Sequence, residues 1–133
     1  YTAEGIINIK NAKWKEDLAK LDVNWEKPFL EEAPYLICIF LLRYHIDDEG
    51  NILRHYYPRD SVAIATGFLL SALHQCGLAS LVYTPVPMDF LRLTLKRPEN
   101  EVPFLIVAAG YPAKDYHPPR LDKKTSEDYL VKR

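Results

Sequence analysis

The sequence lacks a surplus of charge of either sign. Its 133 residues include 17 lysines and arginines against 18 aspartates and glutamates, which gives a formal net charge of −1. A nearly neutral chain has no single-sign field that would attract nucleic acid or an acidic membrane surface. We therefore expect no nucleic-acid partner.

Long apolar runs and cysteine frameworks are also missing. The longest apolar stretches cover residues 35–42 and 62–73, whereas a helix that spans a bilayer needs about 20 apolar residues. Cys38 and Cys76 show no C-x-x-C spacing, and the four histidines show no ligand spacing. These patterns predict no membrane segment in this chain, no disulfide scaffold and no metal site.

Sequence motifs characteristic of common enzyme classes are absent as well. The sequence contains no G-x-S-x-G, no glycine-rich phosphate loop and no H-E-x-x-H, so it does not indicate a hydrolase or a nucleoside-triphosphate enzyme. With 48% apolar residues, the chain has enough material for one core of ordinary size, which predicts a single domain.

Apolar periodicity predicts the first half of the fold. The first thirty residues indicate two short helices, the second over residues 25–32 with Pro28 in its first turn. Residues 35–44 form a near-continuous run of β-formers, which is typical of a strand covered on both faces and central in its sheet. Residues 47–51 then predict a turn in which Gly50 takes a positive φ.

A long helix is predicted from Asp60 or Ser61 to about Gln75, with Gly77 where a left-handed residue commonly ends a helix. This helix is apolar nearly all round, so it is either the centre of the domain or packs against a second subunit. The remaining elements are predicted over residues 78–83 (strand), 89–95 (helix) and 102–109 (strand), followed by a polar tail. Three strands make a thin sheet, so the missing strands are expected from upstream sequence or from a partner.

Three features are candidates for a binding site. Thr84 follows a predicted strand, where its hydroxyl could meet a ligand or satisfy a turn backbone group. Lys27 could bind an anion or be a solvated surface lysine. The aromatic segment from His55 to Tyr57 could stack on a planar ligand or pack before the helix. Taken alone, these residues favour the structural interpretations and support only an α/β-type domain with an unfinished sheet.

Short segments spread over nearly the whole chain match one known family in the same order. They are Trp14 to Leu18, Asn24-Trp25-x-Lys27, Ala33-Pro34, the strand to Phe40, Gly50, His55-Tyr56-Tyr57, Ser61 to Ala65, Gly67, Ala72-Leu73, Gly77-Leu78, Thr84-Pro85, Arg97-Pro98 and Gly110-Tyr111-Pro112. Together they resemble the C-terminal half of iodotyrosine deiodinase, within the FMN-dependent nitroreductase superfamily. No single segment would suffice.

The resemblance implies an α+β fold: a nitroreductase-like mixed sheet flanked by helices, in a domain-swapped homodimer with shared FMN sites. It divides the chain into lid helices (1–33), core strands with the dimer helix (34–112) and a C-terminal extension (113–133). The N-terminal part of the fold, with an arginine-rich phosphate segment, is missing from this chain, which we therefore expect to be a fragment. Animal relatives carry an upstream membrane anchor, so the localisation stays open.

The resemblance also implies the flavin site. Thr84 matches the threonine whose hydroxyl donates a hydrogen bond towards flavin N5, which makes it the catalytic candidate. Val82 and Tyr83 match the flavin-contacting loop. Lys123 matches an arginine on the flavin phosphate. A lysine keeps the positive charge but lacks the planar guanidinium fork of arginine.

The substrate site departs from the family pattern. Lys27 matches the lid lysine that pairs with the carboxylate of a halotyrosine, whereas Thr2 and Ile6 stand where the family has a glutamate and a tyrosine. The resemblance implies reductive dehalogenation of halogenated tyrosine, a small aromatic substrate, with electrons from NAD(P)H or a reductase. Two alternatives stay open: a general FMN nitroreductase, and a catalytically silent flavin-binding or regulatory relative, which the missing lid ligands favour.

Overall fold

The computed structural model describes residues 16, 18–21, 26–117, 119 and 121–131. Contacts divide the chain into two compact units, one of Lys27–Ala113 and one of Tyr1–Glu26 together with Lys114–Arg133. The lid positions Thr2 and Ile6, and most of the first predicted helix, lie outside the described residues. The division into lid, core and extension stays a prediction.

A three-stranded antiparallel sheet forms the unit of residues 27–113. Its strands are β1 (Tyr35–Leu42), β4 (Ala79–Tyr83) and β5 (Glu101–Gly110), in the spatial order β1-β5-β4. The register of β1 on β5 shifts between Ile39 and Phe40, and Pro103 stands opposite Phe40. Because proline cannot donate a ladder hydrogen bond, an irregularity at this point is expected.

Strand β5, rather than β1, occupies the centre of this sheet. Leu105 to Ala109 are all buried, and Val107 has 0% of its surface exposed. The prediction that residues 35–44 form the central strand is therefore wrong for the described sheet: β1 lies at the edge, ends at Leu42 and is only half-buried along most of its length. The apolar pattern correctly marked both strands, but β5 is the longer one and pairs along both of its edges.

A small hairpin follows β1, formed by β2 (Tyr44–Ile46) and β3 (Ile52–Arg54). Its turn is held by the Asp47 carboxylate, which accepts hydrogen bonds from the backbone N–H groups of Glu49 (3.0 Å) and Asn51 (2.8 Å). Gly50 has φ +87°, which confirms the predicted turn. The two strands themselves were not predicted, because three residues are too few to show an alternating pattern.

The short helix α1 covers Phe29–Glu32. It begins after Pro28, later than the predicted start at residue 25. A proline disfavours the helical conformation in the residue before it, so Lys27 stays outside the helix and the first helical residue follows the proline. The end before Pro34 agrees with the prediction.

The long helix α2 covers Pro58–Gln75, with Pro58 in its first turn and Tyr57 at the N-cap instead of the predicted Asp60 or Ser61. It ends in a Schellman motif: the Leu78 N–H donates to the Leu73 carbonyl, and Gly77 has φ +75°. Of its 18 residues only Thr66 is buried. The described residues therefore do not make α2 the centre of a core, and its packing against a second subunit stays a prediction.

Helix α3 (Asp89–Thr94) contacts β5, whereas α2 contacts β1 and β4. In the other unit, a 3₁₀ helix covers Ser126–Asp128 and is closed by a capping box between Thr125 and Asp128. Within the part of the chain that the structure describes, no helix has the length and apolar character needed to cross a membrane.

Candidate active site

The carboxyl end of β4 carries three of the predicted site residues. Val82 and Tyr83 are its last two residues and Thr84 follows directly. The strand ends here because Pro85 and Pro87 lack the N–H that a ladder requires. On the inner side β4 is fixed by β5, where Tyr83 stands opposite Ile106, which is 5% exposed.

The Thr84 side chain is exposed, and no hydrogen bond of its hydroxyl is found among the described residues. The interpretation of Thr84 as a turn residue that satisfies a neighbouring backbone group therefore has no support in this structure. A hydroxyl that is not engaged by the protein can donate to a ligand held outside the strand end. This property is the one required of a residue that meets an acceptor such as flavin N5.

Apolar surface lies on β4, just before Thr84. Leu81 is 48% exposed and Val82 is 42% exposed, although both belong to a β-strand of the core sheet. The outer edge of β4 pairs with no strand within the described ranges. Consecutive strand residues face opposite sides of a sheet, so only Val82, two residues before Thr84, can share its face. An exposed hydroxyl next to such an uncovered apolar side chain fits a planar aromatic ring with a hydrogen-bond acceptor on its edge, such as an isoalloxazine.

An aromatic contact brings Lys27 to the same end of β4. The Phe29 and Tyr83 rings meet edge to face, with centroids 5.5 Å apart and planes at 79°. Lys27 stands two residues before Phe29, is half-buried, and its carbonyl accepts the Leu30 N–H at 2.9 Å. The segment that carries the predicted substrate lysine is thus in contact with the strand that precedes the predicted flavin threonine.

Lys123 belongs to the other compact unit, where it is exposed. Its assignment to the flavin phosphate stays a prediction. Phe29, by contrast, was not predicted as a site residue. No sequence signal marks it, because its contact with Tyr83 joins segments that are far apart in the chain.

A second depression lies between the end of β1 and the start of α2. Its volume is about 500 Å³, and Phe40, Tyr56, Tyr57 and Val62 are among the residues that line it. Tyr56 is 94% exposed and Tyr57 is 73% exposed, so these rings do not pack into a core within the described chain. The depression shares no residue with the end of β4.

Among the described residues, the other candidate nucleophiles and metal ligands do not form a second site. Burial raises the pKa of the Cys38 thiol, which disfavours the reactive thiolate. The His45 and His55 rings lie 5.3 Å apart, but no group of three or more His, Cys, Asp or Glu side chains suited to a metal ion is found where the structure is described.

The fold identifies the structural class of the chain, which is the nitroreductase-like α+β fold. A solved oxidoreductase containing FMN superposes with a TM-score of 0.64 at 15% identity, over 93% of this chain and 67% of that one. A nitroreductase family protein from Clostridium difficile superposes with a TM-score of 0.50 at 23% identity, over 89% of this chain and 64% of that one. No protein-family model matches the sequence.

Within that class, the chain is similar to iodotyrosine deiodinases. It is 49% identical to the enzyme of that name from Haliscomenobacter hydrossis, over 90% of this chain and 54% of the relative, and 42% identical to that of Nematostella vectensis, over 90% and 46%. A solved iodotyrosine deiodinase bound to FMN and 3-iodo-L-tyrosine superposes with a TM-score of 0.77 at 30% identity, over 97% of this chain and 64% of that one. The resemblance predicted from the sequence is confirmed, and the chain spans about half the length of the curated relatives it matches.

Proposed function

We propose that this chain forms part of an FMN-dependent oxidoreductase that removes halogen from halogenated tyrosine. The observation that supports the proposal is the end of β4, where the unengaged hydroxyl of Thr84 follows Tyr83, whose ring contacts Phe29 in the segment of Lys27. The similarity to a deiodinase solved with FMN and 3-iodo-L-tyrosine supports the same pair of ligands here.

The bound FMN would supply the electron-transfer chemistry. Thr84 Oγ1 would hold its proton towards flavin N5, while Val82 and Tyr83 would cover the ring and exclude water. Lys123 would neutralise the phosphate as a point charge. The net reaction replaces a carbon–halogen bond by a carbon–hydrogen bond, so it consumes two electrons and one proton and releases halide. We assign the electrons to NAD(P)H, directly or through a reductase.

Lys27 would orient the substrate. A lysine offers a mobile ammonium group that can pair with a carboxylate when a lid closes. Because the side chain is half-buried, such a pair would be less screened than one in open solvent. The paired carboxylate fixes one end of the amino acid, which leaves its ring to be held over the flavin.

We further propose that the enzyme is a homodimer with shared sites, in which α2 packs against the second subunit. Ile64 and Phe68 lie four residues apart on α2 and are 64% and 73% exposed. Apolar surface of this kind on a helix that packs on the sheet is typical of an interface. The aromatic depression near Tyr56 and Tyr57 would contribute to the same surface.

The experiment uses the full-length protein that contains this chain. Its visible spectrum reports bound FMN, quenching of flavin fluorescence by 3-iodo-L-tyrosine reports substrate binding, and iodide release with NAD(P)H reports turnover. We expect a yellow protein that responds in all three assays. A colourless protein would refute the flavin assignment.

The same assays separate the two alternatives. A yellow protein that ignores 3-iodo-L-tyrosine but reduces a nitroaromatic compound is a general nitroreductase. One that is yellow and reduces neither compound is a catalytically silent relative. Iodide release with dithionite but not with NAD(P)H would place the electron donor elsewhere while leaving the dehalogenation intact.

A further inference from the structure

Helix α1 cannot fix its own position. It has four residues, no side-chain cap and no buried residue, and isolated helices much shorter than about 12 residues are marginal in water. Its hydrogen bonds are local, from Leu30 to the Lys27 carbonyl and from Glu31 and Glu32 to the Pro28 carbonyl. β1 and Pro34 hold the C-terminal side of α1, so a tertiary contact of α1 itself would orient the Lys27 segment on its N-terminal side.

The contact with Tyr83 meets that need. The sheet fixes the position of Tyr83, because Tyr83 ends a strand whose backbone pairs with the buried centre of β5. Phe29 approaches it in the edge-to-face geometry that aromatic rings prefer, with 5.5 Å between centroids. Two residues before Phe29 stands Lys27, and one residue after Tyr83 stands Thr84. One ring pair thus joins the two halves of the candidate site.

We propose that Phe29 and Tyr83 are positioning residues: their ring contact holds Lys27 beside the strand end that carries Thr84. Substrate affinity then depends on an aromatic pair that touches neither the substrate carboxylate nor flavin N5. The roles of Lys27 and Thr84 rest on the proposed function, whereas the ring contact and its hold on α1 do not.

The first test needs no flavin. Hydrogen exchange of the amides of residues 30–33 is compared in the full-length protein, in Phe29→Leu and in Tyr83→Leu. Both variants keep an apolar side chain but remove the ring pair, so both should raise the exchange rate about three- to tenfold, the range that an aromatic pair is worth. Tyr83→Phe, which keeps the ring, should restore protection. Phe104→Leu, in β5, is the matched control and should leave these amides unchanged.

The second test asks for a selective effect. In the flavin-loaded protein, Phe29→Leu should raise the Kd for 3-iodo-L-tyrosine about three- to tenfold, while FMN affinity and kcat at saturating substrate change less than about twofold. The double variant Phe29→Leu/Tyr83→Leu should bind 3-iodo-L-tyrosine with a Kd no higher than that of the weaker-binding single variant, because both substitutions remove the same contact.

Two results would overturn the inference. One is unchanged exchange at residues 30–33 in both ring variants. The other is a parallel loss of FMN affinity, kcat and substrate affinity in Phe29→Leu, which would indicate general damage. If the wild-type protein holds no FMN, the proposed function fails, and the exchange comparison still decides whether the ring pair holds α1.

Discussion

The ring of Pro34 packs directly against the α-carbon of Gly110. A β-carbon built on Gly110 would lie 2.7 Å from Pro34 Cδ and 2.9 Å from Cγ, closer than real contacts allow. The contact joins the residue before β1 to the last residue of β5. Glycine is therefore needed at this point for space, and its φ is not in the left-handed region.

The first prediction is that Gly110→Ala destabilises the protein by about 1–3 kcal/mol, the usual cost of overpacking. Urea unfolding of the full-length protein measures the change. Removing the opposing ring as well, in Gly110→Ala/Pro34→Ala, should recover part of the loss, since the clash needs both groups. A double variant whose loss equals the sum of the two single losses would show that the contact is not the cause.

The second prediction concerns the stability of the fold at low pH and the ion pair at the start of β5. Arg97 donates two hydrogen bonds of 2.6 Å to the Glu101 carboxylate, from Nε and from Nη2. These bonds lower the pKa of Glu101 in the folded protein below its ordinary value of 4.5. A lowered carboxyl pKa stabilises the fold above the unfolded pKa, and the stabilisation is lost as the pH falls through the folded pKa.

Wild type should therefore be more stable than Glu101→Gln at pH 7, and the difference should shrink once the pH falls below about 4.5. Urea midpoints of both proteins at pH 7 and pH 3 measure it. Because the pair is partly exposed, the difference at pH 7 should also shrink at high salt. If the urea midpoints of the two proteins differ by the same amount at both pH values, the charge of Glu101 does not stabilise the start of β5.

The sequence predicted the elements of the core unit better than their arrangement. β-Formers marked β1, β4 and β5, and Gly77 marked the end of α2, because these signals lie within a few neighbouring residues. Which strand takes the centre depends on pairing between distant segments, and residues 35–44 and 102–109 look equally apolar. The choice of β5 follows from its two pairing edges, which no local pattern reveals.

The candidate site divides in the same way. Thr84 was predicted because prolines follow a strand and because the segment resembles a known family. Phe29 was missed, since its role comes from one ring contact across the fold. The apolar periodicity predicts a helix start at residue 25, but α1 begins only after Pro28, because a proline disfavours the helical conformation in the residue before it.

The third prediction separates the hydroxyl of Thr84 from its bulk. If the hydroxyl donates to flavin N5, Thr84→Ala should lower the dehalogenation rate at least about tenfold, the value of one hydrogen bond to a partner that becomes charged. The FMN affinity should change less than about threefold, because the resemblance assigns further flavin contacts to Val82, Tyr83 and Lys123. Thr84→Ser keeps the hydroxyl and should stay close to wild type. Equal losses of rate and of FMN affinity in Thr84→Ala would assign the residue to binding alone.

The last prediction tests the partner surface of α2. Phe68 is 73% exposed, and a substitution at an exposed position of a monomer changes stability by about 0.5 kcal/mol or less. If a second subunit covers Phe68, then Phe68→Glu buries an unpaired carboxylate, and such a charge is costly in an apolar interface. Phe68→Glu should therefore disrupt assembly only if a second subunit covers Phe68. The molar mass of the full-length variant by light scattering should fall to that of a monomer, and bound FMN should be lost with it.

Gln75→Glu, which adds the same charge at an exposed position near the end of α2, should remain dimeric and yellow. A Phe68→Glu protein that stays dimeric would show that the subunits meet through another surface.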